Sequence, residues 1–580
     1  MSETASTSPD TAARWWRNAV IYQIYPRSFA DGDGDGTGDL AGIRSRLPYL
    51  VDLGVDAIWF TPWYVSPLAD GGYDVADYRR IDPAFGSLAD AEALIAEAAA
   101  LGLRTIVDVV PNHGSDQHPW FREALLSPPG SPQRQRFWFA DGKGDNGELP
   151  PTNWVSSFDG GTWTRVKNPD GELGQWYLHL FAPEQPDWNW NHPDVVAEHE
   201  DVLRFWFERG VAGIRIDSAA LPVKDPDLPE VTSQVGGEHP YLDRDELHDI
   251  YRGWRRVADS FGADRMLVGE VWLADPKRFA LYLRPDEMHT AFNFDFMARP
   301  WRAGELRESI QSTLDSHREV KAPPTWVLSN HDVTRPVTRF GRADSGFSFA
   351  AKTFGVATDL ELGRRRARAA ALLSAALPGS LYIYQGDELG LPEVEDLPAE
   401  AISDPMHFRS GGRDPGRDGC RVPLPWTRTG PSLGFGDGED PAAPWLPQPS
   451  DWGELSVAAQ REDPDSMLRL YRELLAIRRR EPGLRGEDFA WLDLDAEMAG
   501  LGEGRNSSAQ VAGRDRDRAL GAEVIAFRRG IDLACVVNLG DSPVKLPPHT
   551  SVLLASDDIT GDRLPADTAA WLRVPTPKQI

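Results

Sequence analysis

The sequence predicts an α/β fold: a closed (β/α)8 barrel with an inserted lid domain after strand 3 and a C-terminal antiparallel β-domain. Three observations predict it. From Ala19 onward, short β-branched or aromatic runs alternate with longer helical patterns, as βα units require. Eight such runs occur, more than an open sheet comfortably holds and the number that closes a parallel barrel. Beyond about Pro482 the pattern changes to alternating strands of the antiparallel kind.

Taken in order, the strand runs are Val20 to Tyr25, Ala57 to Thr61, Thr105 to Val110, Gly213 to Asp217, Met266 to Val271, Ala291 to Phe296, Thr325 to Ser329 and Ser380 to Tyr384. Amphipathic helices are predicted over Leu40 to Leu53, Ser87 to Leu101, Pro193 to Arg209, Arg244 to Phe261 and Arg364 to Ala376, with Ser87 and Asp90 spaced as a capping box. Two stretches break the alternation. From His113 to Trp190 the chain is dense in Gly, Pro and Trp, with strands expected at Thr162 to Val166 and Gln175 to Leu180. A second excursion follows strand eight and ends before a helix near Ser466 to Arg480. Long connections of this kind are usually functional. The expected division is a disordered tail (1–13), the barrel (14–113 and 187–482, with the excursion 386–463), the lid (114–186) and a C-terminal β-sandwich (483–580). Three of the sandwich strands are Glu523 to Arg528, Leu533 to Asn538 and Ser551 to Ala555.

Composition narrows the function classes. A formal charge of −28 repels phosphate backbones and anionic lipid heads, which argues against nucleic-acid and membrane-surface binding. The 21 tryptophans offer flat faces that suit sugar rings, or simply core. Cys420 and Cys535 make neither a disulfide framework nor a zinc-ligand spacing, so a reducing, cytoplasmic location is expected. The first thirteen residues have neither the basic start nor the apolar core of a secretory signal. The longest apolar stretch, Ala369 to Leu377, is too short to span a bilayer.

Polar groups gather where the barrel strands end, the face on which barrel active sites sit. Strand four is Gly213-Ile-Arg-Ile-Asp217. Side chains alternate along a strand, so Arg215 and Asp217 share one face while Ile214 and Ile216 take the other. An arginine keeps a neighbouring carboxylate ionised, and an ionised carboxylate at an exposed strand end can act as a nucleophile; a structural ion pair is the competing reading. Strand three ends Asp108-Val-Val-Pro-Asn-His113, strand five Gly269-Glu-Val-Trp272 and strand seven Leu328-Ser-Asn-His-Asp332. Acids at successive strand ends converge on the barrel axis and raise one another's pKa. At least one should be protonated near neutral pH, while the one beside Arg215 stays ionised. That division suits glycosidic hydrolysis, with Asp217 as nucleophile, Glu270 as acid/base and Asp332 holding the sugar hydroxyls. His113 and His331 are either structural or hydrogen-bonded to the sugar ring.

These four strand-end segments, in this order, resemble the four signature regions of the α-amylase superfamily, glycoside hydrolase family 13. Gln185-Pro-Asp-Trp-Asn-Trp190 is similar to its fifth region. The resemblance runs from about Trp15 to the C-terminus. It implies the barrel, lid and β-domain, a retaining two-step mechanism on α-glucosidic bonds, and the same roles for Asp217, Glu270 and Asp332. Within the superfamily, Ile21-Tyr-Gln-Ile-Tyr-Pro-Arg-Ser-Phe29 resembles the opening strand of the exo-acting α-glucosidase and oligo-1,6-glucosidase branch. Gly72-Tyr73-Asp74 is similar to its glucose pocket, where the tyrosine stacks on the sugar and the aspartate binds outer hydroxyls. Arg413-Asp-Pro-Gly-Arg417 is similar to the arginine segment whose last residue joins that aspartate; the alternative is pairing of Arg417 with surface acids.

The resemblance therefore implies release of α-glucose from the non-reducing end of maltose and short α-glucosides; a monomer or homodimer is expected, the sequence not deciding between them. The residue after the nucleophile reads the linkage in this branch. Here it is Ser218, small enough for an α-1,4-linked aglycone, so α-1,4 is expected over α-1,6. The run Ser218-Ala-Ala departs from the common patterns and keeps a transglucosylase or sugar isomerase of the trehalose synthase or sucrose isomerase type as the alternative. A non-catalytic relative of transporter ectodomains is disfavoured by the intact acid triad. The loop Asp31-Gly-Asp-Gly-Asp-Gly-Thr-Gly-Asp39 spaces acids at alternate positions, as a hard cation requires. An EF-hand fails because Gly42 stands where a bidentate Glu is needed. The resemblance implies a structural Ca2+, with Mg2+ as the other possibility, on Asp31, Asp33, Asp35, Asp39 and the carbonyl of Thr37; the bare alternative is a solvated turn.

Overall fold

The computed structural model describes residues 14–168, 171–232, 238–349, 352–438, 440–494 and 523–576. The tail expected over 1–13 lies outside the described residues. Eight parallel strands make the central sheet: β1 (Val20–Ile24), β2 (Ala57–Phe60), β3 (Arg104–Val109), β4 (Gly213–Ile216), β5 (Met266–Gly269), β6 (Thr290–Ala291), β7 (Thr325–Val327) and β8 (Ser380–Tyr384). They are ordered β6-β5-β4-β3-β2-β1-β8-β7. Each is followed by a helix: α1 (Leu40–Leu53), α2 (Leu88–Ala100), α3 (Pro193–Glu208), α4 (Leu247–Ser260), α5 (Pro276–Leu281), α6 (Ala303–Val320), α7 (Leu360–Ala376) and α8 (Met467–Arg480).

The seam between β6 and β7 is closed by side chains. Thr325 Oγ1 donates to the Ala291 carbonyl (2.7 Å) and accepts the Asn293 N–H (3.1 Å). This corrects the sixth strand, read as Ala291 to Phe296. Asn293 instead caps a short helix, Phe294–Ala298, its Oδ1 accepting the Phe296 N–H at 3.0 Å. An asparagine that satisfies its own following backbone favours a helix start over a strand.

Strand alternation divides the core. Ile214, Ile216, Phe60 and Val109 face the helix layer, whereas Ile21, Trp59, Ile106, Val268 and Tyr382 fill the barrel, which Trp15 and Trp16 close at its lower end. Helix boundaries follow local chemistry. Ser87 and Asp90 form the expected capping box at α2, and α1 ends at Gly54, whose φ of 97° suits glycine.

The lid carries a three-stranded antiparallel sheet of Phe139–Ala140, Leu173–Leu178 and Trp163–Lys167. After α8, five antiparallel strands (Ala490–Trp491, Val524–Arg529, Leu533–Asn538, Thr568–Arg573 and Ser551–Ala555) face a two-stranded ribbon across a separate apolar core. Trp571 Nε1 donates to the Leu372 carbonyl (3.1 Å) and Arg366 pairs with Asp567 (2.9 Å), which docks this domain on α7. Among the described residues no helix is long and apolar enough to cross a membrane.

Candidate active site

Arg215 organises the upper end of the barrel. The ladder sets it beside Asp108 of β3, and its buried guanidinium reaches three carboxylates. Nη1 donates to Asp217 Oδ1 (2.7 Å) and Asp108 Oδ1 (2.9 Å), and Nη2 to Glu270 Oε2 (2.5 Å). Arg215 therefore does not single out Asp217 as the ionised acid, contrary to expectation. Burial pushes the Asp217 carboxyl well above its usual range; Arg215 opposes this, and Glu270 and Asp108 add to it. Burial likewise carries Asp108 up to about 7 against the pull of Arg215. Like charges this close cannot all ionise, and it is the Asp217 carboxyl that is driven toward its protonated form.

Glu270 is held at both oxygens. Oε2 also accepts the Ser218 N–H (3.1 Å), and Oε1 accepts the indole N–H of Trp272 (2.9 Å). Ser218 adopts φ of 42°, a strained value for a non-glycine residue, and so turns its N–H toward that carboxylate. Trp272 is locked by Phe294, stacked at 3.9 Å between ring centroids.

Asp332 has the opposite environment. Burial disfavours its charge, but His331 (3.3 Å), Arg417 (3.1 Å) and Arg421 (3.0 Å) outweigh burial and hold the carboxyl below the usual carboxylate range. The amide of Gln23 lies 2.7 Å from His331 Nδ1, which leaves Nε2 to donate to Asp332. Tyr73 stacks on His331 with rings 5° from parallel, its hydroxyl donating to Asp108 (3.1 Å). Burial lowers both His331 and His113 to about 3, so both are neutral near pH 7.

A cavity of about 410 Å3 brings these groups together: Asp217, Glu270 and Asp332 line it with Asp70, Tyr73, His113 and Arg417. Its size is that of a small-ligand site. Asp74 is a correction. It is fully buried beneath the cavity, accepting from Ser66 Oγ (2.8 Å) and the N–H groups of Ala69 (3.0 Å) and Asp70 (3.1 Å). The pocket acid is Asp70, which accepts Arg417 Nη2 at 2.6 Å and the Gln185 amide at 3.0 Å. Gly71 and Gly72, both at positive φ, turn the chain between Asp70 and Tyr73. Arg417 is buried, which removes its pairing with surface acids, and Asp404 grips it at 2.6 Å.

Sequence reasoning missed Asp70, Asp404, Arg421 and Lys224. Arg417 and Arg421 are one helical turn apart, the available signal for the second arginine. Lys224 is buried, its Nζ contacting Asn112 Oδ1 (2.6 Å), Asp187 Oδ2 (2.8 Å) and the carbonyls of Leu221 (3.0 Å) and Pro222 (3.2 Å). It thereby ties the loop after Asp217 to Asn112 at the end of β3 and to Asp187, just past the lid. Outside the cavity, Asp31, Asp33 and Asp39 each bring one carboxylate oxygen within 4.8 Å of the others. Asp35 is not in that group; its Oδ1 accepts the Thr37 N–H at 2.8 Å. The Asp31 and Asp39 oxygens each accept a backbone N–H. A carboxylate oxygen retains a second lone pair, so the three acids fit a hard cation.

A parallel barrel whose strand ends gather paired carboxylates around a small-ligand cavity defines a (β/α)8-barrel glycoside hydrolase. The chain belongs to the alpha-amylase family: the alpha-amylase catalytic domain matches residues 23–487, and a domain of unknown function matches residues 512–571. It is 38% identical over 528 residues to a probable alpha-glucosidase of Rhizobium meliloti (strain 1021), covering 86% of this chain and 89% of that one. It is 35% identical to the oligo-1,6-glucosidase of Parageobacillus thermoglucosidasius, covering 80% and 84%. Among solved structures, the trehalulose synthase MutB from Pseudomonas mesoacidophila MX-45 superposes with a TM-score of 0.81 at 29% identity, covering 98% and 100%. The alpha-glucosyl transfer enzyme XgtA superposes at 0.78 with 32% identity, covering 97% and 99%.

Proposed function

We propose that the protein is an exo-acting, retaining α-glucosidase that releases α-glucose from the non-reducing end of maltose and short α-glucosides. The observation that carries this reading is the shared guanidinium of Arg215, which holds both Asp217 and Glu270 at a cavity lined also by Asp70, Tyr73, Asp332 and Arg417. A paired acid and carboxylate on one glycosidic bond is what double displacement requires. In the reactive form Asp217 is ionised and the proton is on Glu270. Glu270 gives it to the glycosidic oxygen as the C1–O bond breaks, and Asp217 bonds to C1 from the other face. Glu270 then takes a proton from water, which displaces Asp217 and regenerates both groups. Asp332, kept ionised by its arginines, offsets positive charge on the sugar ring; His113 and His331 contribute neutral hydrogen bonds. The Asp70–Arg417 pair closes the inner end, so a chain terminus fits and a chain interior does not.

The small Ser218 supports α-1,4 over α-1,6 linkages. A transglucosylase or isomerase is the second reading, favoured by the likeness to the trehalulose synthase and the glucosyl transfer enzyme. Initial rates on maltose, isomaltose, sucrose and maltotetraose separate the two. Free glucose from maltose is expected; a new disaccharide as the main product from sucrose or maltose would favour the second. A Ca2+ on Asp31, Asp33 and Asp39 fits the role of a structural clip, because this loop also bonds the segment after β8 through Asp31 N–H and the Phe435 carbonyl (2.9 Å). A cytoplasmic location accords with two buried, unpaired cysteines.

A further inference from the structure

A second cavity, of about 290 Å3, opens at the lower end of the barrel, on the face opposite the carboxylates. It lies under the residues that lead into β1, β6 and β7 and beside the last turns of α4 and α6. In a chain of formal charge −28 its wall carries five cations, Arg14, Arg17, Arg255, Arg284 and Lys321, and one acid, Asp259. The C-terminal ends of α4 and α6 favour nearby cations, and acids meet three of the five. Arg255 pairs with Asp259 (2.8 Å), Arg17 with Glu487 (2.9 Å) and Arg284 with Glu287 (2.6 Å), but neither glutamate lines the cavity. The Lys321 ammonium has no ion pair or hydrogen bond among the described residues, and Arg17 Nη1 is held beside it on the Lys321 carbonyl (3.3 Å).

Two neutral donors complete the wall. His289, nine-tenths buried, accepts the Leu267 N–H at Nδ1 (3.0 Å), so its proton sits on Nε2, on the far side of the ring. Burial and the neighbouring Arg255 and Arg14 keep this imidazole neutral. Trp16, also buried, packs edge-to-face on it with ring centroids 4.6 Å apart. Neither the His289 Nε2–H nor the Trp16 indole N–H finds an acceptor among the described residues, and neither is sealed from solvent. The uncommitted polar side chains here are therefore donors. A neutral sugar would leave its hydroxyl protons without a side-chain acceptor, since Asp259 is taken by Arg255. A phosphate dianion offers acceptors alone. Phosphate by itself fills only part of the space, and the remainder is walled by Leu283, Met288, Val320 and Pro323.

We infer that this cavity is a second ligand site that takes a phosphate monoester, the phosphate meeting Lys321, Arg17, His289 and Trp16 and the organic part meeting the apolar wall. Such a site is independent of the reaction performed at the upper end. The test is isothermal titration of the full chain with phenyl phosphate, inorganic phosphate and phenol at one ionic strength. Phenyl phosphate is expected to bind one to one, about tenfold tighter than inorganic phosphate because part of its ring is buried, and phenol not at all. Lys321→Glu, at an exposed position, is expected to weaken phenyl phosphate by at least about tenfold. Trp16→Phe, which keeps an aromatic ring and removes the N–H, is expected to weaken it by about fivefold. Asp70→Asn, in the upper cavity, is expected to leave the affinity unchanged. No saturable binding at millimolar phenyl phosphate, inorganic phosphate binding as tightly as the ester, or an affinity that falls in Asp70→Asn and not in Lys321→Glu would overturn the inference.

Discussion

Lys224→Met tests whether the buried Lys224–Asp187 pair anchors the loop after Asp217. Burial lowers the pKa of Lys224 and raises that of Asp187, and each opposes the other's shift. Both side chains are 0% exposed, so neither charge has water to fall back on. Methionine fills much the same space but removes the cation, leaving Asp187 with only the Leu180 N–H (3.0 Å) and the Asn112 amide (3.2 Å). Breaking a buried pair from one side costs about 3–5 kcal/mol, and the Asn112, Leu221 and Pro222 oxygens lose a donor as well. The assay is urea unfolding of the wild type, Lys224→Met and the double variant Lys224→Met/Asp187→Asn at pH 5.5 and pH 8. The single variant is expected to lose at least about 3 kcal/mol at pH 8 and less at pH 5.5. The sign follows from linkage. Without its lysine, Asp187 has a folded pKa further above its unfolded value, so the folded form keeps a proton that stabilises it at low pH and loses it as pH rises. The double variant is expected to recover part of the loss, since it buries no lone charge. A single variant within about 1 kcal/mol of wild type, or a double variant worse than the single, would refute the reasoning.

Three further outcomes are expected. Asp70→Asn weakens the charged contact to Arg417, worth about 1.5–3 kcal/mol, and should lower kcat/KM by about 10- to 150-fold at near-normal stability; Asp74→Asn should instead lower stability, and the reverse pattern would restore Asp74 to the pocket. Two sets of buried groups act in opposite directions below neutral pH. His113 and His331, at about 3, and His199 and His317, at about 4, stay neutral when folded while their unfolded counterparts take up protons, which favours higher pH. Asp108, Asp387 and Glu393, at about 7, keep protons that their unfolded counterparts lose at about pH 4, a stabilisation that declines as pH rises and is nearly gone by about pH 7. Both effects are complete by about pH 7.5, so the Tm should change little from there to about pH 9; a Tm that climbs steeply over that range contradicts this. Chelation with EDTA should lower the Tm, Ca2+ should restore it, and Asp33→Ala should abolish the response; a Tm indifferent to both reagents removes the ion.

Much of this was legible because it is local. The alternation that puts Arg215 and Asp217 on one face, the Ser87–Asp90 box and the acids at strand ends all depend on residues a few positions apart. What escaped depends on register or turn direction. Strand four alone does not reveal that the ladder sets Asp108 beside Arg215, so the sharing of one guanidinium by three acids was invisible. Between Asp70 and Asp74 the spacing is silent: the two left-handed glycines decide which acid faces the cavity. Phe292-Asn293-Phe294 reads as strand until the asparagine is seen to cap a helix. Lys224, in Leu221-Pro-Val-Lys224, has the pattern of a surface lysine, and only contacts remote in sequence, with Asn112 and Asp187, show that it is buried.

The central claim is that Asp217 and Glu270 act on one anomeric carbon in two successive displacements. Following the anomer of the glucose first released from maltose by NMR tests it most directly. Two inversions restore the starting configuration, so α-glucose should appear first and convert slowly to the β form. If β-glucose appears first, water attacks the sugar directly, and Asp217 is a base and not the nucleophile.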